Sequence, residues 1–174
     1  MTGGAALRVG GIRSFRVGGG LVVVDNQLLL AANRRRQGTL EWTPPGGVID
    51  EGESVIDGIS REVLEETGLT VSEWERCHYT VTVTAPDMGW EMIVESWFAT
   101  SAHGTISLND PDRIVEQAVF VDLAHVESLL VDSPPWVRIP VLAWIDGGMQ
   151  PIPTHAFHVR GADRATARIE QRSP

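Results

Sequence analysis

A single cysteine, Cys77, stands in this chain of 174 residues, so no internal disulfide can form and a reducing compartment fits. Bases are also scarce, with 14 Lys plus Arg against 23 Asp plus Glu, a formal net charge of −9 and a pI near 4.9. That balance argues against a nucleic-acid polymer as partner, because phosphate backbones are held by net basic surfaces. The sequence has no charged-then-apolar leader, and its most apolar late stretch, Leu129 to Ile145, is interrupted by Asp132, Pro134, Pro135, Arg138 and Pro140. A membrane span is therefore not expected, and the reading is a soluble cytoplasmic protein. Internal repeats and low-complexity arrays are absent too. What remains, 43% hydrophobic and 21% charged, is enough to bury the core of one domain.

The charge is concentrated. Gly46 to Leu69 holds Asp50, Glu51, Glu53, Asp57, Glu62, Glu65 and Glu66 against Arg61 alone, which is −6 of the net −9. Ser54 is a good N-cap after the turn residues Asp50, Glu51 and Gly52, and Gly68 is a good C-terminal stop, so a helix is expected between them. On that helix Glu62, Glu65 and Glu66 share an arc of about 100°, and Ile56, Ile59 and Val63 gather on the next. One face is core and its neighbour is acid. Carboxylates about 5 Å apart repel by about 3 kcal/mol per pair at an effective dielectric of 20. A cation offsets this, and hard oxygen donors select Mg²⁺, Mn²⁺ or Ca²⁺ over Zn²⁺. Arg61 lies one turn before Glu65 and can pair with it and with Glu53. Gly58, in the helix interior, costs about 1 kcal/mol relative to Ala and leaves room for metal water or another strand.

Residues 47–69 resemble the Nudix box, G-x5-E-x7-R-E-(apolar)-x-E-E-x-G-(apolar), at every position: Gly47, Glu53, Arg61, Glu62, Val63, Glu65, Glu66, Gly68 and Leu69. A solvated acidic helix face is the ordinary reading of such a charge run, but it does not require two particular glycines. The resemblance implies an α/β protein, a Nudix-like α/β/α sandwich with a mixed central sheet, extending from about Ile12 to Ile145. It implies hydrolysis of a pyrophosphate bond in a nucleoside diphosphate linked to another group X, with Mg²⁺ or Mn²⁺. Glu62, Glu65 and Glu66 are the implied metal ligands, with the Gly47 carbonyl, and Glu53 and Arg61 the supporting pair. In the family's arrangement the region before the box faces substrate. Arg34 and Arg35 are then candidate phosphate contacts, and Trp42 either touches substrate or belongs to the core. Pro44 stands where many relatives carry an apolar residue such as Leu. Relatives also take a further acid, as metal ligand or base, from a later loop or strand end; Glu116, after the oxygen-rich loop Asn109-Asp110-Pro111-Asp112, is the candidate, with a surface carboxylate as the alternative.

Elsewhere the chain reads as scaffold. Residues 1–11 are expected to be a flexible N-terminus, 12–146 the Nudix domain and 147–174 a C-terminal extension that pairs with a sheet edge or another subunit, making a homodimer possible. Ile12 to Val17 reads as an edge strand. Leu21 to Val24 and Leu28 to Ala32 read as a hairpin around Asp25-Asn26, apolar enough to be covered on both faces. Tyr79 to Thr84 and Glu91 to Ala99 are expected strands joined by a turn at Pro86 to Gly89, Leu123 to Val131 and Trp136 to Ile145 expected helices, and 154–159 and 165–171 short strands. The five histidines show no ligand spacing. Among enzymes, the substrate is a modified nucleoside triphosphate, a dinucleotide or a nucleotide sugar such as ADP-ribose. Two other classes compete: a nucleotide-binding regulator with little turnover, and an isoprenyl diphosphate isomerase, for which Cys77 lacks an acidic context.

Overall fold

The computed structural model describes residues 7–9 (backbone only), 11–35, 38–111, 113–163 and 166–172. Residues 1–6 and 10 of the expected N-terminal segment, together with Arg36, Asp112 and Ala165, lie outside the described residues. In chain order the elements are β1 (Leu7–Val9), β2 (Ile12–Val24), β3 (Gln27–Arg34), β4 (Leu40–Thr43), β5 (Gly46–Val48), α1 (Val55–Thr67), β6 (Leu69–Thr70), β7 (Arg76–Ala85), β8 (Trp90–Ala99), β9 (His103–Gly104), β10 (Val115–Asp122), α2 (Val126–Leu129), α3 (Pro135–Asp146), β11 (His155–Arg160) and β12 (Arg168–Arg172). Short 3₁₀ turns occupy Pro86–Met88, Leu123–His125 and Leu130–Asp132.

One mixed sheet runs in the order β10-β3-β2-β8-β7-β11-β12, with β1 and β5 also paired to β2 and β4 to β3. The β2/β8 and β7/β11 pairs are parallel and the other pairs antiparallel. Asp25 and Asn26 close the β2–β3 hairpin with φ of +50° and +63°, the backbone of a two-residue turn that follows the strand twist. The apolar runs of these strands are buried on both sides. Leu21, Leu28 and Leu30 enter one core with Val126, Leu130, Val141, Trp144 and Phe157, whereas Val22 and Leu29 enter another with Ile59, Val63 and Leu69. Neighbouring residues point to opposite faces because the strand period is two, so α1 covers one face and α2 with α3 the other. This is the α/β/α sandwich.

Three expectations need correction. Ile12 to Val17 is not an edge strand of its own; it is the first half of β2, a central strand of 13 residues. Gly18, Gly19 and Gly20 do not break the strand because β8 pairs with it from Arg13 to Val22 and β5 from Val17 to Gly19. The helix expected over Leu123 to Val131 is three tight turns with only one turn of α-helix: His125 is stretched to φ −107°, ψ −5°, and Leu130 (φ −80°, ψ 2°) leaves helical geometry. The room at Gly58 goes neither to water nor to a strand: a Cβ there would lie 2.5 Å from Ile49 Cδ1 and 2.9 Å from Glu53 Oε2, so the turn before α1 fills it. In α3, Pro135 starts the helix and Pro140 lies inside it, buried.

The last strands extend the sheet. His155–His158 pair with Val81–Thr84, β12 folds back on β11, and Phe157 and Val159 enter the core beside α3. Burying Phe157 fully is worth about 1.5–3 kcal/mol. Among the described residues, no helix is long and apolar enough to cross a membrane.

Candidate active site

Ser54 starts α1 by accepting the Asp57 N–H at 3.1 Å, and Gly68, with φ +74°, ends it by donating to the Leu64 carbonyl. Ile59 and Val63, fully buried against the sheet, fix the helix rotation. Glu62 and Glu66 then reach β5. A Cβ on Gly47 would lie 2.5 Å from the Glu62 carboxyl carbon, so the bare backbone of Gly47 is what lets that carboxylate sit against the strand. Glu66 Oε2 accepts the Gly46 N–H at 3.0 Å. Gly46 itself has φ +154° and is so close to β2 that a Cβ would lie 2.9 Å from the Gly19 Cα.

Arg61 is the hub of the remaining acids. Its guanidinium donates twice to Glu53, at 3.1 Å each, to Glu62 at 2.8 Å, to Glu65 at 3.3 Å and to the Val48 carbonyl at 3.2 Å. Those bonds hold the Glu53 carboxyl below the usual range and raise Arg61 further above its own. Glu53 also accepts the Asp50 N–H at 3.1 Å. One arginine thus clamps the turn, the helix and the strand end together.

Burial dominates the chemistry of the other two box acids. Glu66 is 7% exposed, and loss of solvent pushes its carboxyl up to about 8. The Gly46 N–H and the charge of Arg35 oppose that shift, and the charges of Glu62 and Asp110 add to it. Burial likewise raises Glu62 against its hydrogen bond from Arg61. Among the described residues, no three His, Cys, Asp or Glu side chains are grouped closely enough to enclose a metal ion; Arg61 draws Glu62 and Glu65 to itself. The donor set nonetheless fits a hard divalent cation. It consists of carboxylates that resist ionisation when buried beside one another, lying against a bare glycine backbone, and a cation relieves that cost.

Beside Glu66 and Gly46 opens a cavity of about 240 Å³. Val17, Val81, Met92, Val94 and Val141 make it largely apolar, and Asn33, Arg35, Thr43, Tyr79 and Ser96 supply polar groups. Asn33 is 6% exposed and donates to Thr43 Oγ1 at 3.1 Å. Arg35 also pairs with Glu41 of β4. The sequence contains no lysine, so any side-chain ammonium or guanidinium meeting a phosphate is an arginine. A second cavity lies behind Met92 and Trp136, bounded by the β11–β12 hairpin, and contains no predicted site residue.

The structure separates the other candidates. Arg35 lines the cavity, but Arg34 forms a bidentate ion pair with Glu116 on the adjacent β10. That pair is exposed and keeps the Glu116 carboxyl low. Trp42 lines neither cavity; it packs on the α3-side core, and its carbonyl accepts the Ser133 hydroxyl at 2.6 Å. The loop acid whose charge acts on Glu66 is Asp110. Asp110 also accepts the Ile114 and Val115 N–H groups at 2.7 and 2.9 Å, shaping its own loop. The oxygen-rich loop was visible in the sequence, but nothing there ranks Asp110 above Glu116. Asn33 has one sequence signal, an amide that directly follows the apolar run Leu28 to Ala32.

A family model for the NUDIX domain matches residues 14–145. A mouse protein named oxidized purine nucleoside triphosphate hydrolase is 33% identical over 109 residues, 59% of this chain and 68% of that protein. A MutT-like protein of Streptomyces ambofaciens is 46% identical over 52 residues, but only 30% of this chain and 32% of that protein are spanned. Among solved structures, a mutator MutT protein of Bacillus halodurans aligns over 90% of this chain and 97% of its own, with TM-score 0.64 and 24% identity. The box acids on α1, the sandwich that positions them and the family model all fall on the same stretch of sequence, and the chain belongs to the NUDIX domain family of the Nudix hydrolases.

Proposed function

We propose that this protein hydrolyses the pyrophosphate bond of a nucleoside diphosphate linked to a group X, using Mg²⁺ or Mn²⁺, with a modified nucleoside triphosphate as the leading substrate class. The observation that carries the reading is the position of Glu66: a buried carboxylate at the wall of an apolar cavity sized for a nucleoside, among other acids that need a cation. At about 240 Å³ the cavity lies just below the usual range for small-molecule sites of about 300–1,000 Å³, which suits one nucleoside better than two. The name of the mouse relative supports a nucleoside triphosphate as substrate, with phosphate as X; nucleotide sugars such as ADP-ribose and dinucleotides are the competing substrates.

In this reading Glu62, Glu65 and Glu66, with the Gly47 carbonyl, hold the cation. When bound, the cation supplies charge neutralisation to the diphosphate and lowers the pKa of the attacking water. Arg61 and Glu53 hold helix and turn in register, so the carboxylates stay oriented through turnover. Arg35 offers the phosphates a guanidinium from the cavity wall, where a bidentate contact is available once Glu41 yields. The aliphatic walls exclude bulk water from the nucleoside. Asp110, whose charge acts on Glu66, is this reading's candidate for the general base.

Glu66→Gln keeps the shape and removes the ionisable oxygen. It is expected to lower kcat at least about a hundredfold in a Mg²⁺-dependent assay, the scale of losing a key electrostatic group. Near-normal turnover would take Glu66 out of the metal site.

A further inference from the structure

Gly18, Gly19 and Gly20 are consecutive in β2, yet they serve two faces. A Cβ on Gly18 would press into Ile59 and lie 3.0 Å from Ile49 Cδ1, and one on Gly20 would lie 2.8 Å from Trp74 and 3.1 Å from Val63. Both gaps are occupied by the packing of α1. Gly19 points the other way, where among the described residues a Cβ would meet only the Ser96 hydroxyl, at 3.6 Å, an ordinary contact. Its φ is not positive either. Neither packing nor backbone geometry requires glycine at this position, and glycine weakens a strand interior.

What Gly19 does is leave the cavity floor bare. The register sets Gly19 beside Ser96 and Ser96 beside Tyr79, across β2, β8 and β7, and all three line the cavity. Ser96 and Tyr79 are 4% and 5% exposed and are direct neighbours across the β7–β8 pair. The next row along the strands, Val17, Val94 and Val81, is aliphatic. The floor is therefore half apolar and half open backbone, edged by two hydroxyls.

We propose that Gly19 is a specificity-determining residue: a flat heteroaromatic group of the substrate rests on its bare backbone, with its polar edge toward Ser96 and Tyr79. The inference rests on reading this cavity as the nucleoside seat. A strand glycine often marks close approach of a ligand, and a hydroxyl pair at the edge of an apolar slot discriminates polar edges by hydrogen bonding.

The test compares the natural chain with Gly19→Ala, Gly19→Val and Ser96→Ala, measuring steady-state kinetics on nucleoside triphosphates and calorimetric binding of a nucleoside diphosphate. Gly19→Val is expected to raise KM at least tenfold and weaken binding by a similar factor, with kcat within threefold and the melting midpoint within about 2 °C, because the side chain enters open cavity rather than packed core. Gly19→Ala, whose Cβ has room, is expected to fall between and keeps the test valid where valine disturbs folding. Ser96→Ala is expected to narrow the spread of kcat/KM among nucleobases at least fivefold. Nucleotide affinity and KM within twofold in both Gly19 variants would overturn this inference alone. A natural chain that neither binds nor cleaves any nucleotide would overturn the nucleoside-seat reading and this one with it.

Discussion

At the scale of single residues, the box acids divide by solvent rather than by sequence order. Glu53 is held ionised by Arg61, and Glu66 resists ionisation because it is buried. Helix geometry puts Arg61 one turn from Glu65, Glu53 reaches it from the turn before the helix, and both contacts are formed. The competition between Asp110 and Glu116 was not legible, because it depends on where a long loop crosses α1: Ser107 and Asn109 donate to the Thr67 and Glu65 carbonyls and carry Asp110 toward Glu66. Two variants test that assignment. Asp110→Asn, which can still accept the Ile114 and Val115 N–H groups, is expected to lower kcat/KM at least tenfold. Glu116→Gln, at an exposed pair with Arg34, is expected to stay within threefold. The reverse ranking would return the role to Glu116.

At the scale of elements, α1 was readable because its cap, its apolar arc and its terminal glycine agree with one another. Ser54→Ala removes the cap acceptor and is expected to cost about 1 kcal/mol, read as a fall in melting midpoint of about 2–4 °C for a chain of this size. The α2 region misled because its apolar spacing is helical while its backbone tightens at His125 and Leu130. The junction of β7 with α3 was also invisible in sequence, since it joins residues far apart. There His78 is buried, stacks on Phe98 with ring centroids 4.5 Å apart, and accepts the Trp144 N–H on Nδ1 at 2.8 Å. Its neutral form must carry the proton on Nε2, which has no partner among the described residues. Burial accordingly lowers the His78 pKa from 6.5. Above pH 6.5 the ring is neutral folded or unfolded and contributes nothing. Below it the unfolded chain takes up a proton that the folded chain refuses, so stability falls as pH falls. Glu66, raised by burial, acts in the opposite direction between its ordinary value and about 8. A paired comparison isolates the histidine: His78→Asn keeps an acceptor for Trp144 and removes the titration. Its melting midpoint is expected to drop less than that of the natural chain between pH 6.5 and 5, and parallel curves would exclude His78 as the cause.

At the scale of the molecule, the sandwich follows from apolar strands that are covered on both faces, and that much was present in the run from Leu21 to Ala32. The ends of the sheet were harder to read, because nothing in 147–174 names the strand it joins. The structure pairs β11 with β7 and buries Phe157 and Val159 beside Trp144. Ending the chain after Gly148 is therefore expected to expose the β7 edge and lower the melting midpoint by more than 10 °C, since losing one buried Phe alone costs about 3–5 kcal/mol. An unchanged melting midpoint would make the last strands dispensable to this core. The central claim is that the whole arrangement turns over a nucleoside diphosphate linked to X. The direct measurement is incubation of the purified chain with nucleoside triphosphates, oxidised nucleotides, ADP-ribose, dinucleoside polyphosphates and nucleotide sugars, each with Mg²⁺ or Mn²⁺, and chromatographic resolution of the products. The account predicts cleavage at a pyrophosphate bond, strongest for one class and abolished by chelating the metal. Tight binding of one compound without cleavage of any would contradict it and identify a nucleotide-binding regulator instead.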